Sequence, residues 1–121
     1  LIDSWAWIEY FKGSEAGARA REIIEDDEES IVSTINLAEV YRWILKFYGE
    51  EVADEKVDVI KKRCFVIDVD PEIAIASAKI KHEMRFGLGD AIVLATARRE
   101  NAKVVTGDPD FKNLEGVIWL G

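Results

Sequence analysis

Two patterns of apolar positions alternate along the chain: short unbroken runs, and longer stretches in which an apolar residue returns every third or fourth position. Leu1-Ile2-Asp3 is an apolar pair leading into Asp-Ser, and it reads as the tail of a strand whose start lies upstream. Trp5, Ile8 and Tyr10-Phe11 then fall near helical spacing until Gly13, and Ser14 with Glu15 opens a second helix expected to run to about Glu29. Ser30-Ile31-Val32-Ser33 is short and β-branched, and a third helix follows, with a broad apolar face from Ile35 to Tyr48 that ends at Gly49. Val52, Val57, Val59 and Ile60 line a helix from about Glu50 to Arg63, and Phe65 to Val69 reads as a strand broken by Asp70-Pro71. Pro71 suits a first helical turn, and Ile73, Ala76, Ile80 and Met84 carry that helix to Gly87. A strongly apolar helix from Asp90 to about Asn101, a strand at Lys103 to Thr106 and a last strand at Val117 to Leu120 complete the pattern. Apolar strands separated by helices predict a three-layer α/β/α fold with a central parallel sheet of about five strands, covered on both faces.

Length and composition narrow the possibilities further. A chain of 121 residues with 49% apolar content is enough for one real core, so a single domain over residues 1–121 is expected. The richest apolar stretch, Ala91 to Ala95, is far short of the roughly 18 residues of a membrane span, and no signal peptide is recognisable, so a soluble cytoplasmic protein is expected. The single cysteine, Cys64, has no intrachain partner and no Cys/His neighbours for zinc. A net charge of −8 opposes nonspecific binding to a polyanion, so an RNA substrate would need a local feature to overcome that field. The acidic run Glu25 to Glu29 reads as a solvated helix end.

The candidate chemistry lies in carboxylates. Singly, Asp3, Asp90 and Asp108 each have an ordinary explanation as caps or turn formers. Glu39 fits that explanation less well, because it stands inside a helix with Ile35 and Trp43 one turn away on either side and so wants a partner. Jointly they say more: Asp3 and Asp108 follow the carboxyl ends of two parallel strands, where ligand sites of open α/β sheets collect, and Asp90 heads a helix that can face the same crevice. Like charges at roughly 5 Å repel by about 3 kcal/mol per pair at an effective dielectric of about 20, a cost that a divalent cation removes. All-oxygen ligands select Mg²⁺ or Mn²⁺, and a lone His82 with a lone Cys64 cannot complete a Ser-His-Asp or Cys-His triad.

Four segments carry a family resemblance: Leu1-Ile2-Asp3-Ser4, Asn36-Leu37-Ala38-Glu39-Val40, Gly87 to Ala97 (GLGDAIVLATA) and Val105 to Phe111 (VTGDPDF). In order and spacing they resemble PIN-domain signatures over essentially the whole chain. Within that superfamily the small single-domain form is similar to VapC toxins of prokaryotic toxin–antitoxin pairs, which are Mg²⁺- or Mn²⁺-dependent ribonucleases. The resemblance implies that Asp3, Asp90 and Asp108 ligate metal, that Glu39 orients the attacking water, and that Asp110 is a possible fifth acid for a second ion. It further implies cleavage of RNA to 5′-phosphate and 3′-hydroxyl ends. The hydroxyls of Ser4 and Thr106 are candidate donors at such a site, though both residues are also ordinary strand-end choices.

Among basic residues, Arg85 is the named candidate for holding RNA phosphates, with Lys12, Arg42, Lys46, Lys81, His82 and Lys112 as further possibilities; solvated helix faces are the competing account. Trp5, Trp7, Tyr10, Phe11, Trp43, Phe47 and Tyr48 crowd the first and third helices, as core or as a groove for a partner. By the resemblance, that partner is a VapB-like antitoxin lying as an amphipathic segment across those helices, and a symmetric homodimer is the expected assembly. Two other readings compete: a PIN-like scaffold that binds RNA or protein without activity, and a receiver-like signalling domain. The receiver reading draws on Asp68 and Asp70, but Asp3 has no acidic neighbour and no Lys follows the last strand.

Overall fold

The side chains of consecutive strand residues alternate between two cores, and this alternation sets the architecture. In the computed structural model, which describes residues 1–121, Ile2, Val32 and Val105 enter one core with Trp7, Val40, Ile44 and Ile60. Their neighbours Leu1, Ile31 and Val104 face a second core with Ile73, Ile80, Phe111 and the run Ala91 to Ala95. A strand with period two can feed both only if helices cover both faces of the sheet, which gives the expected three-layer α/β/α arrangement.

The elements in order are α1 (Ser4–Lys12), α2 (Glu15–Ile24), β1 (Ser30–Ser33), α3 (Thr34–Tyr48), α4 (Glu50–Arg63), β2 (Cys64–Ile67), α5 (Pro71–Met84), α6 (Leu88–Arg99), β3 (Val104–Thr106) and β4 (Val117–Trp119), with a 3₁₀ turn at Pro109–Phe111. β1 and β2 pair in parallel from Ser30↔Cys64, and β3 and β4 from Val104↔Val117. The segment Leu1–Asp3 joins the two pairs: Ile2 N–H donates to Ile31 O at 3.1 Å, and Asp3 N–H donates to Val105 O at 3.0 Å. The spatial order is therefore β2, β1, Leu1–Asp3, β3, β4. Four strands are paired, and the place expected for another is held by a single parallel bridge, Ile2↔Val105.

Several boundaries differ from expectation, each for a local reason. α2 stops at Ile24 because five consecutive acids, Glu25 to Glu29, would repel one another at the negative end of the helix dipole. α5 stops at Met84, where Arg85 turns left-handed (φ 58°) and Lys81 Nζ caps the Phe86 carbonyl at 3.1 Å; Gly87 precedes α6 as its N-cap instead. α6 starts at Leu88 and ends at Arg99, so Asp90 lies inside its first turn. The outer strands are less covered than continuous apolar runs implied: Phe65 on β2 is 60% exposed and Ile118 on β4 38%. The aromatic residues divide, with Trp7 wholly buried against Tyr10 and Phe11, and Phe47 and Tyr48 at the surface. No helix is long and apolar enough to cross a membrane.

Candidate functional site

The carboxyl ends of the inner strands, the start of α6 and one face of α3 converge on a cluster of acids. Carboxylate oxygens of Asp90, Asp108 and Asp110 lie within 4.8 Å of one another. Asp90 is held by the first turn of α6, whose positive dipole end favours a negative group. Asp108 caps the 3₁₀ turn, accepting from Asp110 N–H at 3.0 Å, so a single turn presents both acids.

Asp3 stands beside this trio and outside it. It is 4% exposed, and its two oxygens are claimed by different elements: Thr106 Oγ1 donates to Oδ2 at 2.8 Å, and Asn36 Nδ2 donates to Oδ1 at 3.3 Å. Thr106 in turn accepts from Asp108 N–H at 3.0 Å, linking Asp3 to the turn that carries the other acids. Ser4 Oγ donates to Glu39 Oε1 at 2.8 Å and accepts from Asn36 Nδ2 at 3.0 Å. Both hydroxyls singled out in the sequence, Ser4 and Thr106, therefore hold carboxylates. Glu39 has the partner its position demanded, but it is exposed, looking out from α3 over the crevice.

Two glycines let these parts approach. A Cβ at Gly89 would come within 2.9 Å of Glu39 Oε2, and one at Gly107, next to Asp108, would come within 2.3 Å of the Trp5 ring.

Asn36 is the residue that sequence reasoning missed. It is fully buried, donates to Asp3 and Ser4, and its Oδ1 accepts from Ser33 N–H at 3.0 Å to close a capping box. Its signal was the Ser33-x-x-Asn36 spacing at a helix start, where Glu or Gln is the usual partner. Arg85, by contrast, is an exposed cap residue of α5 that forms no ion pair. Asp70, which the receiver reading needed, caps α5 by accepting from Ile73 N–H at 2.9 Å and pairs with Arg99.

The cluster is electrostatically uncompensated. Burial raises Asp3 to about 6 despite the Thr106 hydrogen bond, and the Glu39 and Asp108 charges push the same way. Burial likewise raises Asp90 to about 7, followed by a hydrogen bond with Asp110 and the charges of Asp108, Asp3 and Asp110. Every charged neighbour in these sets is another acid. Such groups favour folding when protonated: their contribution is complete below the ordinary carboxylate range and is lost as pH rises through about 6 to 7. Asp70 acts oppositely, since Arg99 lowers it and that stabilisation fades only as pH falls below the carboxylate range. Calorimetry in EDTA should therefore give a melting temperature that is highest near pH 5 and declines steadily to pH 8. A melting temperature that climbs over the same interval would mean that the acids are compensated within the chain.

The donor set suits a hard divalent cation. Three carboxylates on one small patch, with Asp3 and Glu39 adjoining, form an all-oxygen donor set without nitrogen or sulfur, of the kind that hard divalent cations take.

The PIN domain family profile matches residues 1–117, and the chain belongs to the PIN-domain family. Among solved structures, a toxin–antitoxin complex from Klebsiella pneumoniae is similar at TM-score 0.81 and 25% identity, covering 99% of this chain and 96% of that one. Mycobacterium tuberculosis VapC20, described as a sarcin–ricin loop cleaving toxin, is similar in fold at TM-score 0.78 and 16% identity, over 96% and 95% of the two chains. VapBC2 from Rickettsia felis, bound to a DNA fragment from its promoter, follows at TM-score 0.74 and 21% identity, over 98% and 94%. No curated protein sequence matches the chain. The family match sets the receiver reading aside.

Proposed function

We propose that the chain is a Mg²⁺- or Mn²⁺-dependent endoribonuclease and the toxin of a VapBC-type toxin–antitoxin pair. The observation that carries this reading is the trio Asp90, Asp108 and Asp110, drawn together beside buried Asp3 with no cation of the chain to balance them. Repulsion of this size persists in a fold when a ligand that cancels it is part of the function. Asp90, Asp108 and Asp110 would hold the ion, with Asp3 completing the negative field from below. A divalent ion bound there would lower the pKa of water and balance charge on a scissile phosphate. Glu39, exposed and steadied by Ser4, would orient the attacking water and accept its proton. Thr106 and Asn36 fix Asp3, so that its carboxylate need not reorganise during the reaction.

The partners follow from the same reading. Likeness to toxin–antitoxin complexes supports an antitoxin for this chain. It would inhibit most simply by sending a basic side chain into the carboxylates, where that group replaces the cation and competes with it. The assembly that goes with this reading is a symmetric homodimer, the commonest closed arrangement of a small chain.

The test is cleavage of end-labelled single-stranded RNA by the purified protein. Product is expected with Mn²⁺, should vanish in EDTA and should return when Mn²⁺ is added back. Cleavage that continues in EDTA would overturn the metal mechanism. An Mn²⁺-stabilised protein that cuts no RNA would favour the inactive scaffold.

A further inference from the structure

α3 leads away from the acidic site, and its exposed side changes character along its length. Glu39, Arg42, Trp43, Lys46 and Phe47 stand at i, i+3, i+4, i+7 and i+8, which places them on one helical face. With Ile8 they line an open groove of about 540 Å³ that begins at Glu39 and so at the carboxylate cluster. A second hollow of about 260 Å³ shares Trp43 and continues over Phe11, Lys12, Tyr48 and Lys56.

The charge of this path opposes that of the chain. The protein has 24 acidic residues against 16 basic ones, yet the two hollows are lined by four cations and by one acid, Glu39 itself. Arg42, Lys46 and Lys56 form no ion pair within the chain. Lys46 Nζ instead lies 5.3 Å from the Phe47 ring centroid, and Lys56 Nζ lies 5.5 Å from that of Phe11. Phe47 and Tyr48 are 57% and 60% exposed, so aromatic surface reaches solvent beside the cations. Solvated helix surface explains cations alone, and core packing explains aromatics alone. Neither explains why both gather on one face that starts at the acids.

Unpaired cations interleaved with open aromatic rings are the chemistry that holds single-stranded nucleic acid, with phosphates on the cations and unstacked bases on the rings. We propose that the α3 groove is the substrate track, taking the single-stranded RNA that flanks the scissile phosphate. Arg42 and Lys46 hold phosphates, and Phe47 with Trp43 stacks bases. The track supplies the local attraction that an acidic chain needs for a polyanion, and it rests on the nuclease reading for its direction toward Glu39. It assigns the flanking phosphate contacts to α3.

The probe is a fluorescein-labelled single-stranded 12-nucleotide RNA, followed by cleavage kinetics in Mn²⁺ and by anisotropy. The variants are Arg42→Gln with Lys46→Gln, and separately Phe47→Ala, all at exposed positions where melting temperature should hold. Each is expected to raise KM by roughly 10- to 30-fold while kcat stays within about twofold, because the residues touch flanking RNA and not the reacting atoms. The double variant should also flatten the slope of log affinity against log salt by about 1.4, for two lost phosphate contacts. Lys61→Gln with Lys62→Gln removes the same charge from α4 and should leave KM unchanged. If wild type cleaves and the α3 variants keep its KM and salt slope, the track is wrong and the nuclease reading stands. If they keep RNA affinity but lose binding of an amphipathic partner peptide, the groove is a protein site and the proposal falls. No cleavage by wild type with any RNA would instead sink the nuclease reading.

Discussion

Asp90→Asn should abolish Mn²⁺-dependent cleavage and the stabilisation that Mn²⁺ confers, while leaving the metal-free protein more stable than wild type at pH 8. The substitution keeps the shape of the side chain in the first turn of α6 and removes one charge from a place where burial first, and then Asp110, Asp108 and Asp3, oppose ionisation. With its pKa near 7, Asp90 is mostly ionised at pH 8 and then repels its neighbours; an amide in its place does not. Mn²⁺ reverses the ranking. At 100 times its Kd, a ligand that binds only the folded state adds about 2.7 kcal/mol. For a domain of this size that is a rise in melting temperature of roughly 10 °C. The variant should show little of this rise. Loss of a group that merely supports a metal ligand costs about 10- to 100-fold, so loss of a ligand should cost more, on the order of 10³-fold in kcat. Glu39→Gln is the contrast, because Glu39 is exposed, tied to Ser4 and outside the trio. It should slow cleavage and keep the Mn²⁺ shift. Thermal melts of all three proteins, with EDTA and with Mn²⁺, separate these outcomes. An Asp90→Asn protein that keeps the full Mn²⁺ shift would remove Asp90 from the metal site.

The layers and most helix centres could be read from the sequence because burial on one face is a periodic requirement. The run Ala91 to Ala97 is buried throughout and apolar except for Thr96, whose hydroxyl donates to Ile92 O, and Ile35 to Tyr48 keeps helical spacing to its last turn. The acids after strand ends were legible for a topological reason: in a parallel sheet all carboxyl ends share one edge. What sequence reading left unresolved depended on partners distant along the chain. Thr106 reaches Asp3 across 103 residues and Asn36 reaches it across 33, and no local spacing encodes either bond. Glu39 had apolar neighbours one turn away on both sides, yet it faces open crevice, because a helix edge bordering a site has its outer surface uncovered. The left-handed backbone of Arg85, which ends α5 short of Gly87, was likewise not legible, because no glycine marks that position. The early end of α2 belongs to electrostatics, which apolar periodicity does not register.

Asn36→Leu should destabilise the protein by about 3 kcal/mol, or roughly 10 °C in melting temperature, and should slow cleavage although Asn36 touches no reacting group. Leucine has the same branched outline as asparagine and is somewhat larger, so no cavity is left and the leading loss is of hydrogen bonds. Three bonds disappear together: the amide no longer donates to Asp3 Oδ1 or to Ser4 Oγ, and Ser33 N–H loses its acceptor. Because the site is fully buried, water cannot replace them, and each orphaned group costs about 1–3 kcal/mol with incomplete additivity. Asp3, already raised to about 6, would be pushed further toward its neutral form and would carry less negative field to the metal site. Asn36→Asp separates this explanation from a simple packing defect. At pH 8 it sets a second carboxylate against Asp3 and should be at least as damaging as leucine. At pH 5 a protonated acid can again donate a hydrogen bond, so much of the stability should return, whereas Asn36→Leu stays impaired at both values. Denaturant melts of the three proteins at pH 5 and pH 8 decide the matter. A leucine variant within about 1 kcal/mol of wild type at pH 8, or an aspartate variant whose loss is the same at both pH values, would show that Asn36 is not what holds Asp3 in place.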